Sequence, residues 1–276
     1  MGDDPGAAGW NGPETLGEDS PEPESVDDNV IPPSGFACAM DESLTILFED
    51  AHCLAIVKPG GELTQGPSGG RETTLEARVR RYLCPDDPAS VYLGTVHRLD
   101  RPVSGVILWA KTLKAARRLA AQFAARQPRK EYWAIVEGTT APLGDEGEWN
   151  DWLTDPDGSG VVHSVETEAP RTRQAITRFR KSPALMLPEN CCWLRLWPET
   201  GRTHQLRAQA AHRGLAILGD RVYGSNRPFL QGIALHARTL RVRHPILGTT
   251  IDLLAPLPAT WTEQGIVLPE MPNPEA

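Results

Sequence analysis

The junction between a polar turn and a wholly apolar run constrains this chain more than any other stretch. Residues 94–111 read Gly94-Thr95-Val96-His97-Arg98-Leu99-Asp100-Arg101-Pro102-Val103-Ser104-Gly105-Val106-Ile107-Leu108-Trp109-Ala110-Lys111. Val106 to Ala110 is continuously apolar, of strand length and β-branched at its start, so it predicts a buried strand. Pro102 turns Arg101 away from helical angles, and Gly105 permits backbone angles closed to other residues. Both place the preceding residues in a loop that leads into the strand. Asp100 sits at the bend, between Arg98 and Arg101. A carboxylate on a loop anchored by a buried strand suits a rigidly held functional group. It equally suits a turn-capping aspartate, and the stretch alone leaves both readings open.

At 276 residues the chain allows one large domain or two small ones, and a hydrophobic content of 40% suffices for a core. No apolar run reaches the roughly 18 residues of a membrane span, so no membrane partner is expected. The N-terminal residues lack the basic and apolar segments of a secretory signal. The five cysteines, Cys38, Cys53, Cys84, Cys191 and Cys192, show no C-x-x-C spacing. They predict reduced thiols, no metal and a cytoplasmic protein.

The net charge of -8 conceals an asymmetry. All 28 Lys and Arg residues fall between Lys58 and Arg243, where Asp and Glu number 19, an excess of +9. Residues 1–57 carry 13 acidic groups and no basic one. A basic body between acidic ends suits a polyanion, whose binding comes largely from phosphate contacts and counterion release. An ordinary solvated surface fits the same composition. Residues 1–42, rich in Gly, Pro, Asp, Glu and Ser, predict a disordered acidic tail. A folded domain is expected over 43–262 and a C-terminal tail over 263–276.

Within the domain, Leu44–Asp50 and Cys53–Lys58 read as paired strands, and Thr74–Leu83 as a short amphipathic helix. Thr112–Gln127 reads as a second helix, stopped by Pro128. Its charged face, Lys114, Arg117 and Arg118 with Arg126, Arg129 and Lys130 beyond, fits a nucleic-acid footing or a solvated face. Further strands are expected at Glu131–Val136, Gln174–Arg180, Cys192–Trp197 and Leu240–Pro245, the last paired with Thr250–Leu254. Residues 139–170 are polar and turn-rich, as in a hairpin or insertion. A third helix is predicted between an N-cap at Thr203 and a C′ glycine at Gly214, its N-terminus offering an anion site beside Arg202. Arg207 lies one turn along it, where an exposed arginine is the ordinary reading.

His97-Arg98-Leu99-Asp100, with Ser104-Gly105 and a strand ending in Ala110-Lys111, resembles the first signature of the RluA-type pseudouridine synthase family. Other segments match in the family's order: Lys58-Pro59, Lys130-Glu131-Tyr132-Trp133-Ala134-Ile135-Val136-Glu137-Gly138, and Gly201-Arg202-Thr203-His204-Gln205-Leu206-Arg207. Gly219-Asp220 with Tyr223-Gly224, and Leu235-His236-Ala237 with His244-Pro245, complete the set, so the resemblance spans about residues 44–258. Val57, Val103 and Ala208-Gln209 depart from the family's usual Asn, Thr and Val-His, and are candidate sites for a shift in substrate choice. The S4 domain that precedes many members has no counterpart in the acidic stretch.

The resemblance implies an α+β fold with a bent, mostly antiparallel central sheet flanked by helices. It implies isomerisation of uridine to pseudouridine in structured RNA, ribosomal or transfer, by a monomer without cofactor or metal. Asp100 would be the essential carboxylate, Tyr132 would stack on the uracil and take part in removing the C5 proton, and Arg207 would pair with Asp100. The target nucleotide must leave its stack, with Arg98 filling the gap. His97, Arg101, Lys58, Arg202 and Lys130 are the further RNA-binding candidates. The matched histidines show no metal-ligand spacing and read as structural hydrogen-bonding groups. A catalytically silent RNA-binding or chaperone protein on the same fold is the alternative, against which the joint presence of Asp100, Tyr132 and Arg207 speaks. A metal-dependent nuclease would need a carboxylate cluster that the sequence lacks.

Overall fold

The computed structural model describes residues 43–66 and 74–270. The acidic stretch expected as a tail over 1–42 lies outside the described residues. Twelve strands of the described residues join one sheet. In chain order they are β1 (Ile46–Glu49), β2 (Cys53–Lys58), β3 (Gly94–Thr95), β4 (Ser104–Ala110), β5 (Arg129–Glu137), β6 (Glu146–Thr154), β7 (Ser164–Val165), β8 (Thr172–Ser182), β9 (Cys191–Pro198), β10 (Ala216–Ile217), β11 (Leu235–Arg243) and β12 (Thr250–Leu254). The helices are α1 (Leu75–Leu83), α2 (Leu113–Ala124), α3 (Gln205–His212) and α4 (Ala259–Glu263). The sheet runs β1-β2-β4-β11-β5-β9-β8-β6-β7, with β3 added to β4, β10 to β5 and β12 to β11. Its pairings are antiparallel except β4 on β11. This is the α+β, mostly antiparallel architecture that the resemblance implies.

The apolar run becomes β4, all seven residues of which are buried. Val106, Leu108 and Ala110 pack with Ala115 and Leu119 of α2. Ile107 and Trp109 take the other face, with Leu75 and Val79 of α1. A strand covered on both faces needs no polar alternation, which is why it reads as a continuous run. Each large side chain buried this way contributes about 1.5–3 kcal/mol.

The parallel contact of β4 with β11 depends on Gly105. Its φ is +122°, and a Cβ there would lie 2.3 Å from the Ala237 carbonyl oxygen. Without a side chain the two backbones meet, pairing His236 with Ser104 and Ala237 with Gly105. Ala237 in turn pairs with Tyr132 of β5. The loop before β4 is thereby brought beside the strand that carries Tyr132.

One expectation is sharpened and two change: the hairpin expected within 139–170 is formed by β6 and β7, and its first strand does more. The polar segment 139–170 supplies β6, which pairs with β8 along its whole length from Glu146–Arg180 to Thr154–Thr172. Its inward residues are Trp149, Asp151 and Leu153. The buried aspartate in the middle hides the period of two; Asp151 is satisfied by Arg213, at 2.8 and 2.9 Å, and by Gln209 at 2.9 Å. Second, the N-cap of α3 is His204, not Thr203. His204 takes a left-handed conformation, so the Gln205 N–H closes onto the Arg202 carbonyl and Gln205 Oε1 accepts from the Arg202 N–H. Part of the expected anion site is consumed internally. The helix ends as predicted, with Gly214 at φ +68° and Leu215 N–H bonded to the Ala210 carbonyl. Third, folded chain continues past 262. Ile266 is buried and Val267 bridges to Met186, so residues 263–267 of the expected tail belong to the body.

Candidate active site

Residues 98–103 are held by their own carbonyls. The Leu99 carbonyl accepts from the Thr64 hydroxyl at 2.9 Å. The Asp100 carbonyl accepts from Val103 N–H at 3.1 Å, the Arg101 carbonyl from Gly61 N–H at 2.9 Å, and the Pro102 carbonyl from Ile233 N–H at 3.1 Å. Leu99 and Val103 are buried anchors on either side of the half-buried Asp100. Such a loop has little freedom left, and its carboxylate has a defined place.

Lys58 belongs to this scaffold, a correction to its expected role in RNA binding. Its side chain is 0% exposed, and Nζ donates to the carbonyls of Pro59, Glu62 and Arg101 at 2.7–2.9 Å. Burial pulls its pKa down to about 7. Three carbonyls nevertheless match the three hydrogens of an ammonium, and none remains for a phosphate. His97 is a second correction. Its Nε2 accepts from Leu108 N–H at 2.9 Å, and its ring stacks on Phe123. Burial, and then the charge of Lys130, lower its pKa to about 3. A neutral ring bonded to β4 braces the strand and offers no charge to RNA.

Opposite the loop stands Arg207 on α3, 5% exposed and so not the exposed helix arginine of the ordinary reading. Nε and Nη2 form a two-pronged pair with the buried Asp220 at 2.6 and 2.9 Å, and Nη1 approaches Asp100 Oδ2 at 3.5 Å. Burial disfavours the charge of Arg207, but the bond to Asp220, then Asp100, outweigh it and raise the pKa. The guanidinium also lies 4.8 Å above the Tyr223 ring. His204 Nε2 lies 3.8 Å from the same Asp100 oxygen. Asp220, His204 and Tyr223 were therefore missed as site residues. The signals available were the Gly219-Asp220 and Tyr223-Gly224 pairs and a histidine three residues before the arginine.

A cleft of about 660 Å³ joins these groups, within the range of small-molecule sites. Asp100, Tyr132, His204 and Arg207 all line it, with Arg98, Lys130 and Arg202. Tyr132 is half-buried on β5, between Ala237 and Leu196 in the sheet. Burial first, and the charge of Asp100 second, raise its phenol pKa, so it keeps its proton at neutral pH. Arg126, from the end of α2, also lines the cleft. Burial, and then Arg126 and Arg173, lower the Arg202 pKa, an arginine pressed by like charges that suits an anion. Burial likewise lowers the pKa of Lys130. Arg101 is exposed on the Gly61 carbonyl, and Lys114 and Arg117 lie elsewhere on α2; none of the three lines the cleft.

The departures from the family pattern fall mainly in packing. Val103, Ala208 and Gln209 are buried, and Gln209 Oε1 accepts from the Thr177 hydroxyl at 2.7 Å. Asp50, Cys53 and His244 come close enough together to hold a metal ion. Two of the three are already engaged with protein partners: Asp50 accepts from His52 N–H, Cys53 N–H and His244 Nε2, and His244 Nδ1 accepts from Ile246 and Leu247 N–H, while burial raises the Cys53 thiol to about 12. No helix among the described residues is long and apolar enough to cross a membrane.

Comparison with known proteins bears on the family and the fold. A family model described as RNA pseudouridylate synthase matches residues 52–212. The ribosomal large subunit pseudouridine synthase D of Pseudomonas aeruginosa is 33% identical over 241 residues, covering 80% of this chain and 70% of that one. The tRNA pseudouridine synthase C of Pectobacterium carotovorum is 32% identical over 253 residues, covering 85% and 64%. Among solved structures, Human RNA Pseudouridylate Synthase Domain Containing 1 superposes with a TM-score of 0.67 at 22% identity, over 83% of this chain and 91% of that one. The last similarity speaks for the fold alone.

Proposed function

The chain belongs to the RNA pseudouridylate synthase family, an RNA uridine isomerase of the RluA type, and from that premise we propose how its cleft works and on which RNA. The reaction breaks the C1′–N1 bond of uridine, turns the uracil and joins C1′ to C5. A proton leaves C5 and one is gained at N1, so atoms and electrons balance within one nucleoside. Such a reaction asks for no cofactor and no metal.

The observation that carries the assignment of residues is the convergence of Asp100, Tyr132 and Arg207 on one cleft. Attack on C1′, attack on the uracil ring and removal of the C2′ proton each need a carboxylate oxygen free of protein partners. Asp100 Oδ1 has none among the described residues, since Arg207 and His204 both approach Oδ2. Arg207 fixes the carboxylate from a position fixed in turn by Asp220. Tyr132, protonated and half-buried, suits stacking on the uracil and hydrogen-bond donation; its raised pKa speaks against its acting as the base. The exposed Arg98 suits the gap left by a flipped nucleotide, and Arg126, Lys130 and Arg202 suit the flanking phosphates.

We take ribosomal or transfer RNA as the substrate, on the strength of the relatives' activities, and a cytoplasmic monomer as the working form. The test is a site-by-site pseudouridine map of total RNA from cells with the gene, without it, and with Asp100→Ala. One or a few sites should vanish in both altered strains. Sites that persist with Asp100→Ala would overturn the role of Asp100. In vitro, product should form undiminished in excess chelator; a metal requirement would overturn the metal-free reading.

A further inference from the structure

A chain of polar contacts connects a loop outside the cleft to the carboxylate within it. The loop spans residues 155–163, between β6 and β7. Near its end Val162 is buried, and its backbone N–H donates to the Tyr223 hydroxyl at 3.0 Å. Tyr223 Oη lies 3.0 Å from His204 Nδ1, and His204 Nε2 lies 3.8 Å from Asp100 Oδ2. The first member favours one direction for this relay. A backbone N–H can only donate, so the phenol oxygen accepts from Val162, and its one hydrogen is left to be donated to His204 Nδ1, the acceptor within reach. An imidazole that accepts at Nδ1 carries its hydrogen at Nε2 when neutral. That hydrogen faces Asp100.

Two further observations point the same way. His204 has φ +51°, a conformation uncommon outside glycine and held by its surroundings. Burial also lowers its pKa, so the neutral form is present at neutral pH. Arg207 Nη1 and His204 Nε2, both from the start of α3, approach one carboxylate oxygen and leave the other open.

We propose that His204 is a positioning residue for the isomerisation: with its hydrogen set at Nε2 by the Val162–Tyr223 relay, it holds Oδ2 of Asp100 and leaves Oδ1 for the nucleoside. The proposal rests on the isomerase reading above. It also gives the loop between β6 and β7 a part in catalysis although it lies outside the cleft.

The test uses the full chain. His204→Gly removes the ring without adding backbone strain, and His204→Gln restores an N–H of similar reach. His204→Gly should lower kcat about tenfold to hundredfold, with KM within about twofold, and His204→Gln should recover most of the loss. Nitrogen NMR of labelled histidines, without RNA, should show the Nε2–H tautomer in the wild type and a tautomer mixture in Tyr223→Phe. An Nδ1–H tautomer in the wild type, a His204→Gly enzyme with wild-type kcat, or a loss confined to KM would each overturn the proposal. So would a His204→Gln enzyme that melts like the wild type yet is as slow as the glycine variant. A wild type that forms no pseudouridine would instead overturn the isomerase reading, and the NMR arm would still decide the tautomer.

Discussion

The ion pair at the centre of the site, Asp100 with Arg207, joins residues 107 apart in the sequence. Arg207 faces Asp100 across 3.5 Å, but its two-pronged partner is Asp220, 1% exposed. Removing one member of a buried pair strands the other, so Asp220→Ala should cost about 3–5 kcal/mol in urea unfolding and lower kcat as Arg207 loses its orientation. Lys58 offers a sharper contrast. If its three carbonyl bonds hold the Asp100 loop, Lys58→Met should lower kcat with RNA affinity unchanged; weaker RNA binding at unchanged kcat would restore the role expected from sequence. The neutral histidines add a pH dependence. Burial, the first cause in each, lowers the pKa of His97 and of His236 to about 3. The unfolded chain binds protons at these positions below about pH 6.5, where the folded chain does not. Stability from this source is therefore complete above pH 6.5 and lost as pH falls toward 3, by up to about 1.4 kcal/mol per pH unit for each ring. Urea midpoints should drop through that window, with a shallower slope in His236→Gln.

At the scale of elements, β4 and α3 place the two halves of the site by different means. β4 is apolar on both faces, so its position is set by packing. Leu108→Ala should cost about 2–5 kcal/mol with little effect on KM at temperatures where the variant stays folded. Gly105→Ala should behave differently. Its Cβ would meet the Ala237 carbonyl, and the strain, about 1–3 kcal/mol, falls on the junction that carries Asp100. We expect kcat to fall even where melting shows the fold intact. Helix α3 instead docks through amides. Gln205 donates to the Ile176 carbonyl and the Thr177 hydroxyl, and Gln209 to Asp151 and the Ala175 carbonyl. Its six buried residues include two glutamines and an arginine, so no amphipathic stripe announces which face turns inward.

For the whole molecule, charge distribution governs binding. The basic excess between Lys58 and Arg243 should make RNA affinity fall steeply with salt, and the acidic charge of residues 1–42 should oppose binding of the same polyanion. Deleting 1–42 should raise RNA affinity at low salt, with the difference closing as salt screens both interactions. Equal affinities across salt would remove that role. Most of the fold was legible in the sequence because its signals are local: an apolar run for β4, caps and spacing for α1 and α2, alternation in β9, Gly214 at the end of α3. The motifs around Asp100, Tyr132 and Arg207 carried the site's main members and its chemistry, since residue types in order along a chain are a property of sequence. Tertiary structure alone decided which charges were free. Lys58 and Arg98 look alike in sequence, yet one is spent on three carbonyls and the other is exposed on the cleft rim. Asp220 and Tyr223 joined the site, and His204 acquired its orientation, through partners from other parts of the chain, as Tyr223 did through Val162, 61 residues away; what a polar group does depends on which donors and acceptors surround it, and folding alone brings those together.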